Sequence, residues 1–366
     1  MSKKVFNSEK NHEEYKIKPP LFLGEDLGLF DTVNKHYPKI WGLYKTMKSL
    51  DWSEDEFDYS QCAIDFKNCP KPVYDMMIRT LAWQWEADSI ASRSIAPLLA
   101  PFITDSSLWA AYQRISDNEV IHAATYSEIV RMSFDNPEEV LKDILSVKES
   151  LSRLSAIKDV LDDAYVASHK YALGMMSKED AYPIVLATII GIFMMERIQF
   201  PSSFSVTFTI CGTGYFQPVG KAVQKIAQDE LEVHVELAKE IIRVELATER
   251  GRETYEKIKP LIQKMFDSSV AIELAWNEYL FSEGRELVGA TLNTVNAWVM
   301  YCAAPVHKFL DLGGDYKFPR YNPMIHLEDW LNIGKTQASP QEQDNNQYKV
   351  GTIFRDDDNV KFDADF

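Results

Sequence analysis

Twelve consecutive uncharged and mostly apolar residues, Ile184 to Met195 (IVLATIIGIFMM), leave this chain few ways to fold. The run is shorter than the roughly 20 residues that a membrane-spanning helix needs. It therefore predicts a helix that is buried on every side within a protein core. The next residue is Glu196, and burying its carboxylate is costly unless a cation or a metal ion neutralises it. A salt bridge to the adjacent Arg197 is the simplest alternative.

The composition also favours a large helical domain. Hydrophobic residues make up 46% of the 366 residues, and only 15 Gly and 16 Pro are present, which argues against an all-β chain with many tight turns. Helical periodicity predicts long helices at 37–49, 71–98, 106–132, 137–172, 178–210, 219–247, 252–282 and 286–310. Several of these segments exceed the usual mean length of about 11–12 residues. We therefore predict an all-α fold, a bundle of long helices.

Three regions are predicted along the chain. Residues 1–35 form an irregular N-terminal segment, and residues 36–335 form the helical domain. Residues 336–366 form a flexible C-terminal tail, because their polar and acidic sequence cannot bury enough apolar surface to fold alone.

Charge and cysteine content exclude several classes of protein. Acidic residues outnumber basic residues 55 to 39, for a net charge of −16, and such a surface repels the phosphates of nucleic acid. The N-terminus lacks the apolar stretch of a secretory signal. The 4 cysteines include no CxxC pair, which fits a reducing compartment. We expect a cytoplasmic protein with neither a nucleic-acid partner nor a membrane partner.

Two Glu/His pairs indicate metal chemistry. Glu119 and His122 are three residues apart in NEVIHAATY, and Glu230 and His234 are four apart in DELEVH. Both spacings keep the two side chains on one face of a helix. Carboxylate and imidazole together suit iron, manganese or zinc. Taken alone, the first pair is more often an exposed Glu beside a polar His.

A fourth carboxylate completes the pattern. Asp88 lies in the apolar, aromatic segment LAWQWEADSIASRS, where it could also be a surface Asp near Arg93. Together with Glu196 and the two Glu/His pairs, it gives four helices that supply four carboxylates and two imidazoles. This is the ligand set of a dinuclear metal site inside a four-helix bundle. Two divalent ions would offset the four negative charges.

Tyr126 lies on the same helical stripe as the first pair, four residues after His122 and seven after Glu119. A lone Tyr at this spacing is most often a core residue whose hydroxyl is satisfied. Beside a dimetal centre that activates oxygen, it is also a candidate one-electron donor.

These motifs resemble the small (beta) subunit of class I ribonucleotide reductase, from about Pro20 to Phe366. The resemblance implies a ferritin-like bundle in which two iron ions are bound by Asp88, Glu119, His122, Glu196, Glu230 and His234. It also implies that Tyr126 carries a stable radical in a pocket lined by Phe200, Phe204 and Ile226. The choice between iron and manganese stays open, because the same ligands serve both metals.

His234 departs from the family pattern, which places this His three residues after its Glu. Here the spacing is four. On a helix with about 100° per residue, positions i+3 and i+4 lie about 60° and 40° to either side of residue i. We expect a local π-bulge, a distortion common at functional sites, to absorb the extra residue.

The resemblance further implies a path by which the radical leaves this chain. Trp52 matches the family's tryptophan near the surface, and Asp229 matches the acid that links it to the metal-bound His122. In the tail, Tyr348 matches the tyrosine that relays the radical onward. Without the resemblance, each of these would be an ordinary core, loop or tail residue.

The tail carries the implied contact with a partner. Glu342 matches a tail glutamate of the family, and the ending FDADF resembles the peptide that docks to the large (alpha) subunit. The docking residues would be Phe362, Asp365 and Phe366. A homodimer is also implied.

The function implied by the resemblance is that of half an enzyme. The chain would use O₂ to generate the radical, and the complex with the large subunit would reduce ribonucleotides to deoxyribonucleotides. One alternative is a related dimetal oxidase or oxygenase, which needs neither Tyr348 nor the FDADF ending. Another is a non-enzymatic iron-storage bundle, although storage proteins of this class are shorter and lack a long acidic tail.

Overall fold

The computed structural model describes residues 17–25, 29–153 and 155–331. In these ranges the regular structure is helical, with no β-strand. The α-helices are α1 (Pro38–Ser49), α2 (Ser60–Asn68), α3 (Lys71–Leu99), α4 (Ser106–Ser133), α5 (Pro137–Leu145), α6 (Lys148–Ser152), α7 (Ser155–Ala172), α8 (Lys178–Met194), α9 (Phe200–Cys211), α10 (Gln217–Gln228), α11 (Val235–Leu246), α12 (Glu249–Leu280), α13 (Leu292–Phe309) and α14 (Glu328–Leu331). The predicted all-α fold class is confirmed.

The central bundle is built from long helices in direct contact. Helices α3 and α4 pack along one another, α8 packs against α7, α11 and α12, and α9 packs against α3, α10 and α13. Two of these stretches contain a π-helical turn. The turn Met195–Gln199 joins α8 to α9, and the turn Asp229–His234 joins α10 to α11.

Helix α8 is the buried helix that the apolar run predicts. Ser177 caps its N-terminus by accepting a hydrogen bond from the backbone N–H of Asp180. The helical stretch Lys178–Cys211 is long and apolar enough to cross a membrane, yet 83% of its apolar window is buried inside the protein. This stretch is therefore a core helix.

Other predicted boundaries differ from the structure. The predicted helix 137–172 consists of the three helices α5, α6 and α7, and α2 was not predicted. The predicted helix 286–310 begins only at Leu292, where Thr291 caps it. The residues before it form turns in which Gly284 and Gly289 have φ angles of +73° and +92°. Glycine adopts such angles without the steric cost that other residues incur.

Candidate metal centre

The structure brings together the six residues of the predicted metal site: Asp88, Glu119, His122, Glu196, Glu230 and His234. Asp88 lies on helix α3, and Glu119 and His122 lie on α4. Glu196, Glu230 and His234 lie in the two π-helical turns. None of these side chains is more than 3% exposed. Each comes from a segment that packs into the centre of the bundle, so the fold converges four helical stretches on one buried point.

The six side chains form two overlapping groups. One consists of Asp88, Glu119, His122 and Glu230, and the other of Glu119, Glu196, Glu230 and His234. Within each group, one donor atom of every residue lies within 4.8 Å of the others. Glu119 and Glu230 belong to both groups, so each carboxylate is available to either group. Each group contains one imidazole.

The π-helical turn Asp229–His234 explains the unusual spacing of its two ligands. The backbone N–H of Val235 bonds to the carbonyl of Glu230, five residues earlier, instead of four as in an α-helix. The widened turn brings His234 over Glu230, with its Nδ1 atom 3.0 Å from Glu230 Oε2 and 3.5 Å from Glu119 Oε1. The predicted π-bulge is confirmed, and His234 faces the cluster.

A second π-helical turn, Met195–Gln199, was not predicted. Its bond runs from the N–H of Phe200 to the carbonyl of Met195, and it holds Glu196 at the cluster with 1% exposure. Glu196 has no His at a short spacing, so the sequence carries no signal for this turn. Arg197, the predicted alternative partner of Glu196, instead lines a surface cavity beside Cys302.

Burial and mutual repulsion shift the acidity of the carboxylates. Burial, followed by the charges of its neighbours, raises the pKa of Asp88 and of Glu196 well above the usual range. Burial also raises the pKa of Glu119. For Glu230 burial acts in the same direction, but the charge of His234 and hydrogen bonds hold its pKa well below the usual range. Without a metal ion, the cluster would have to take up protons to limit repulsion.

The donor set fits a pair of divalent metal ions. In residues 17–25, 29–153 and 155–331, both carboxylate oxygens of Asp88, Glu119 and Glu196 are buried without a hydrogen-bond partner. Buried polar atoms are rarely left unpaired unless water or an ion completes them. Oxygen and imidazole ligands without a thiolate suit iron or manganese. The carboxylates would thus coordinate the ions, and the ions would neutralise their charge.

A chain of contacts leads away from the cluster through Asp229. The Asp229 Oδ2 atom accepts a hydrogen bond from Trp52 Nε1 at 2.8 Å and lies 3.1 Å from His122 Nε2. The Nδ1 atom of His122 faces the cluster, 3.2 Å from Glu230 Oε1. The rings of Trp52 and His122 are nearly parallel, with centroids 6.0 Å apart. One carboxylate thus connects an indole to a predicted metal ligand.

Tyr126 is buried beside the cluster, where the charges of Asp88, Glu230 and Glu119 act on its hydroxyl. Its side chain is 1% exposed, and its hydroxyl has no hydrogen-bond partner among the described residues. Burial, and then the charge of Asp88, raises its pKa well above the usual value of 10. The predicted pocket residues Phe200, Phe204 and Ile226 are all fully buried. Tyr126 is therefore a neutral phenol shielded from water.

The predicted residues of the tail lie outside the described residues. They are Glu342, Tyr348, Phe362, Asp365 and Phe366. Their roles remain predictions from the sequence.

Comparisons with known proteins agree with this geometry. The family model "Ribonucleotide reductase, small chain" matches residues 29–323. Two relatives named ribonucleoside-diphosphate reductase subunit beta cover nearly the whole chain. The protein from Haemophilus influenzae is 26% identical, with 99% of both chains aligned. The protein from Enterobacteria phage T4 is 24% identical, with 94% of this chain and 95% of the relative aligned.

The chain belongs to the ribonucleotide reductase small-chain family. This confirms the resemblance and makes the chain a small subunit of an oxidoreductase. The fold agrees with solved structures of the family. A ribonucleotide reductase R2 subunit from Clostridium botulinum has a TM-score of 0.76 at 18% identity, covering 90% of this chain and 98% of its own. The dimanganese(II)-NrdF of Streptococcus sanguinis has a TM-score of 0.62 at 16% identity, covering 80% and 95%.

Proposed function

We propose that this chain is the radical-generating beta subunit of a ribonucleoside-diphosphate reductase. The observation that carries the proposal is the juxtaposition of three features in one buried region. They are a cluster of four carboxylates and two imidazoles, a shielded phenol at Tyr126, and a contact chain from His122 through Asp229 to Trp52. A related dimetal oxidase needs the first feature but not the last, and a storage bundle needs neither of the last two.

The metal ions would be two iron ions, with manganese as the alternative. The ligands would be Asp88, Glu119, His122, Glu196, Glu230 and His234, of which Glu119 and Glu230 belong to both groups. When bound, the ions supply reductive activation of O₂ and hence the oxidising equivalent. Four carboxylates against two divalent ions leave the centre without excess charge in a medium where an isolated charge is costly.

Tyr126 would supply one electron and one phenolic proton and become a neutral radical. The phenolic proton would pass to the adjacent cluster of carboxylates, of which Asp88 has the strongest electrostatic effect on the Tyr126 hydroxyl. Phe200, Phe204 and Ile226, all fully buried, exclude water and reductants from the radical. The lifetime of the Tyr126 radical would therefore be set by the surrounding pocket rather than by the phenol itself.

The radical-transfer path would run through His122, Asp229 and Trp52. Trp52 can lose an electron at low cost because the Asp229 carboxylate lies at its N–H and stabilises positive charge, or accepts the proton. The same carboxylate holds the orientation of the His122 ring. From Trp52 the oxidising equivalent would pass to Tyr348 in the tail and then to the large subunit.

The large subunit would bind the tail through Glu342, Phe362, Asp365 and Phe366. That partner would bind the nucleotide and supply the reducing cysteines. We further propose that the chain works as a cytoplasmic homodimer, with residues 36–335 as the helical domain and residues 336–366 as the docking tail.

The test of the radical assignment is the variant Tyr126→Phe. We expect the wild-type chain, loaded with iron and O₂, to give a sharp EPR signal near the free-electron position and a tyrosyl absorption band. The variant should bind metal equally well, because the phenol is not a ligand, but should lose the stable signal. Survival of both signatures in the variant would exclude Tyr126 as the radical site.

A further inference from the structure

Two tryptophans lie near the proposed radical site in opposite electrostatic environments. Trp52 donates its indole N–H to the carboxylate of Asp229 at 2.8 Å. Trp83 lies on α3, five residues before Asp88 and thus about 7.5 Å from it along the helix axis. It is fully buried, and its ring centroid is 5.1 Å from that of the pocket residue Phe200. Trp83 therefore contacts one of the residues proposed to line the radical pocket, and it is the indole that we consider as a competing electron donor.

A cation covers the face of Trp83. The guanidinium carbon of Arg153 lies 3.7 Å from the Trp83 ring centroid and 4.6 Å from that of Trp276, so the cation is held between two indoles. Arg153 is 1% exposed. Its Nε and Nη2 atoms donate to the two carboxylate oxygens of Glu273 at 2.9 and 2.6 Å. This bidentate ion pair fixes the guanidinium in place.

The indole N–H of Trp83 has no acceptor within the described part of the chain. Its Nε1 atom is buried without a hydrogen-bond partner, whereas the Nε1 atom of Trp52 has a carboxylate. Quenching of a Tyr126 radical by Trp83 would require the indole to give up one electron and its N–H proton, so that Tyr126 becomes a phenol again and Trp83 a neutral indolyl radical. Among the residues that the structure describes, none is placed to accept that proton.

We infer that Arg153 insulates Trp83 from oxidation, so that the oxidising equivalent is directed to Tyr126 and Trp52. A cation over the face of an indole is attracted to the neutral ring but repelled by the ring once it has lost an electron. At Trp83, both this repulsion and the missing proton acceptor oppose oxidation of the indole. At Trp52, the carboxylate of Asp229 favours it. The inference rests on the proposed radical at Tyr126.

Arg153 is also hydrogen-bonded to the segment that carries the proposed ligand Glu196. The backbone carbonyl of Arg153 accepts a hydrogen bond from Gln199 Nε2 at 2.6 Å, and Gln199 ends the π-helical turn that holds Glu196. A test must therefore separate loss of charge from loss of packing. Replacing only one partner would leave the other as an unpaired buried charge, whereas replacing both avoids that cost.

The test compares the wild-type chain with the double variant Arg153→Met/Glu273→Met after loading both with ferrous iron and O₂. Trypsin releases one peptide, Thr80–Arg93, that contains Trp83 and the half-buried Trp85. Fragment-ion mass mapping then measures O₂-derived oxygen addition at each indole. Trp85 serves as the internal reference, and circular dichroism and metal content check the fold.

We expect oxygen addition at Trp83 to rise on the order of tenfold in the double variant. This is the fold-change that corresponds to the free energy of one buried cation–π contact, which the variant lacks. Trp85 should be unchanged, and the Tyr126 EPR signal should decay faster. Adding Trp83→Phe to the double variant should restore the lifetime of the signal. If the Met pair does not fold, Arg153→Gln/Glu273→Gln keeps a hydrogen-bonded pair without charge and should give the same rise.

Three results would overturn the inference. One is equal oxidation of Trp83 in wild type and the uncharged variants while the Tyr126 radical forms normally, which leaves the proposed function intact. Another is an equal rise in Arg153→Lys, which keeps the positive charge, because packing would then protect the indole. Absence of the Tyr126 radical from the wild-type chain would remove the proposed function and this inference together.

Discussion

In the proposed radical path, Asp229 is the residue whose charge can be removed with the least change in the shape of the side chain. In Asp229→Asn the side chain keeps its size but loses its charge. Asp229 Oδ2 is 2.8 Å from Trp52 Nε1 and 3.1 Å from His122 Nε2, so one substitution weakens both contacts. Hydrogen bonds to a charged group contribute about 1.5–3 kcal/mol, against about 1 kcal/mol for neutral ones. The variant should therefore lose about 0.5–2 kcal/mol at each contact.

The larger expected effect is on turnover. A carboxylate can accept the Trp52 N–H proton, but an amide cannot, and a positioned base typically contributes about 10²–10⁴-fold. We expect ribonucleotide reduction with the large subunit to fall by about that factor. The rate is normalised to the radical content measured by EPR, so that a change in the amount of radical formed is not counted as a change in radical transfer.

A matched control separates charge from geometry. Trp52→Phe removes the indole and leaves Asp229 in place, and it should reduce the normalised turnover at least as strongly. Combining the two substitutions should cost little more than either alone, since both break the same path. A normalised turnover of Asp229→Asn within about twofold of wild type would refute a proton-accepting role for this carboxylate.

Three further predictions concern the tail, the buried ion pair and the metal. Truncation after residue 338 should leave the EPR signal intact and abolish reduction with the large subunit; retained turnover would contradict the role of the tail. Glu273→Ala leaves the Arg153 guanidinium buried and unpaired, which should lower the free energy of unfolding by about 3–5 kcal/mol in a denaturant titration, whereas the exposed Glu253→Ala should change it little. Ferrous iron at a hundred times its Kd should stabilise the metal-free chain by about 2.7 kcal/mol, visible as a higher Tm; no shift would argue against the cluster as a metal site.

Local sequence patterns were sufficient for most of the long helices and for the candidate ligands, but not for α2 or for the division of 137–172 into three helices. The apolar run before Glu196 predicts a fully buried helix, because no face of such a helix is soluble. The Glu119/His122 pair predicts a shared helical face, because helical spacing is a local property. Even the π-helical turn at Asp229–His234 could be inferred, since the spacing of Glu230 and His234 differs from the family pattern by one residue.

Contacts between distant segments depended on the tertiary structure. Trp52 and Asp229 are 177 positions apart, and Arg153 and Glu273 are 120 apart. No local pattern marks such a pair, because neither helical periodicity nor composition records which helices become neighbours. The same is true of the second π-helical turn, at Met195–Gln199, whose ligand has no partner at short spacing. The sequence by itself determined the helices and the metal-binding residue types, whereas only the packing decided which tryptophan faces a carboxylate and which faces a cation.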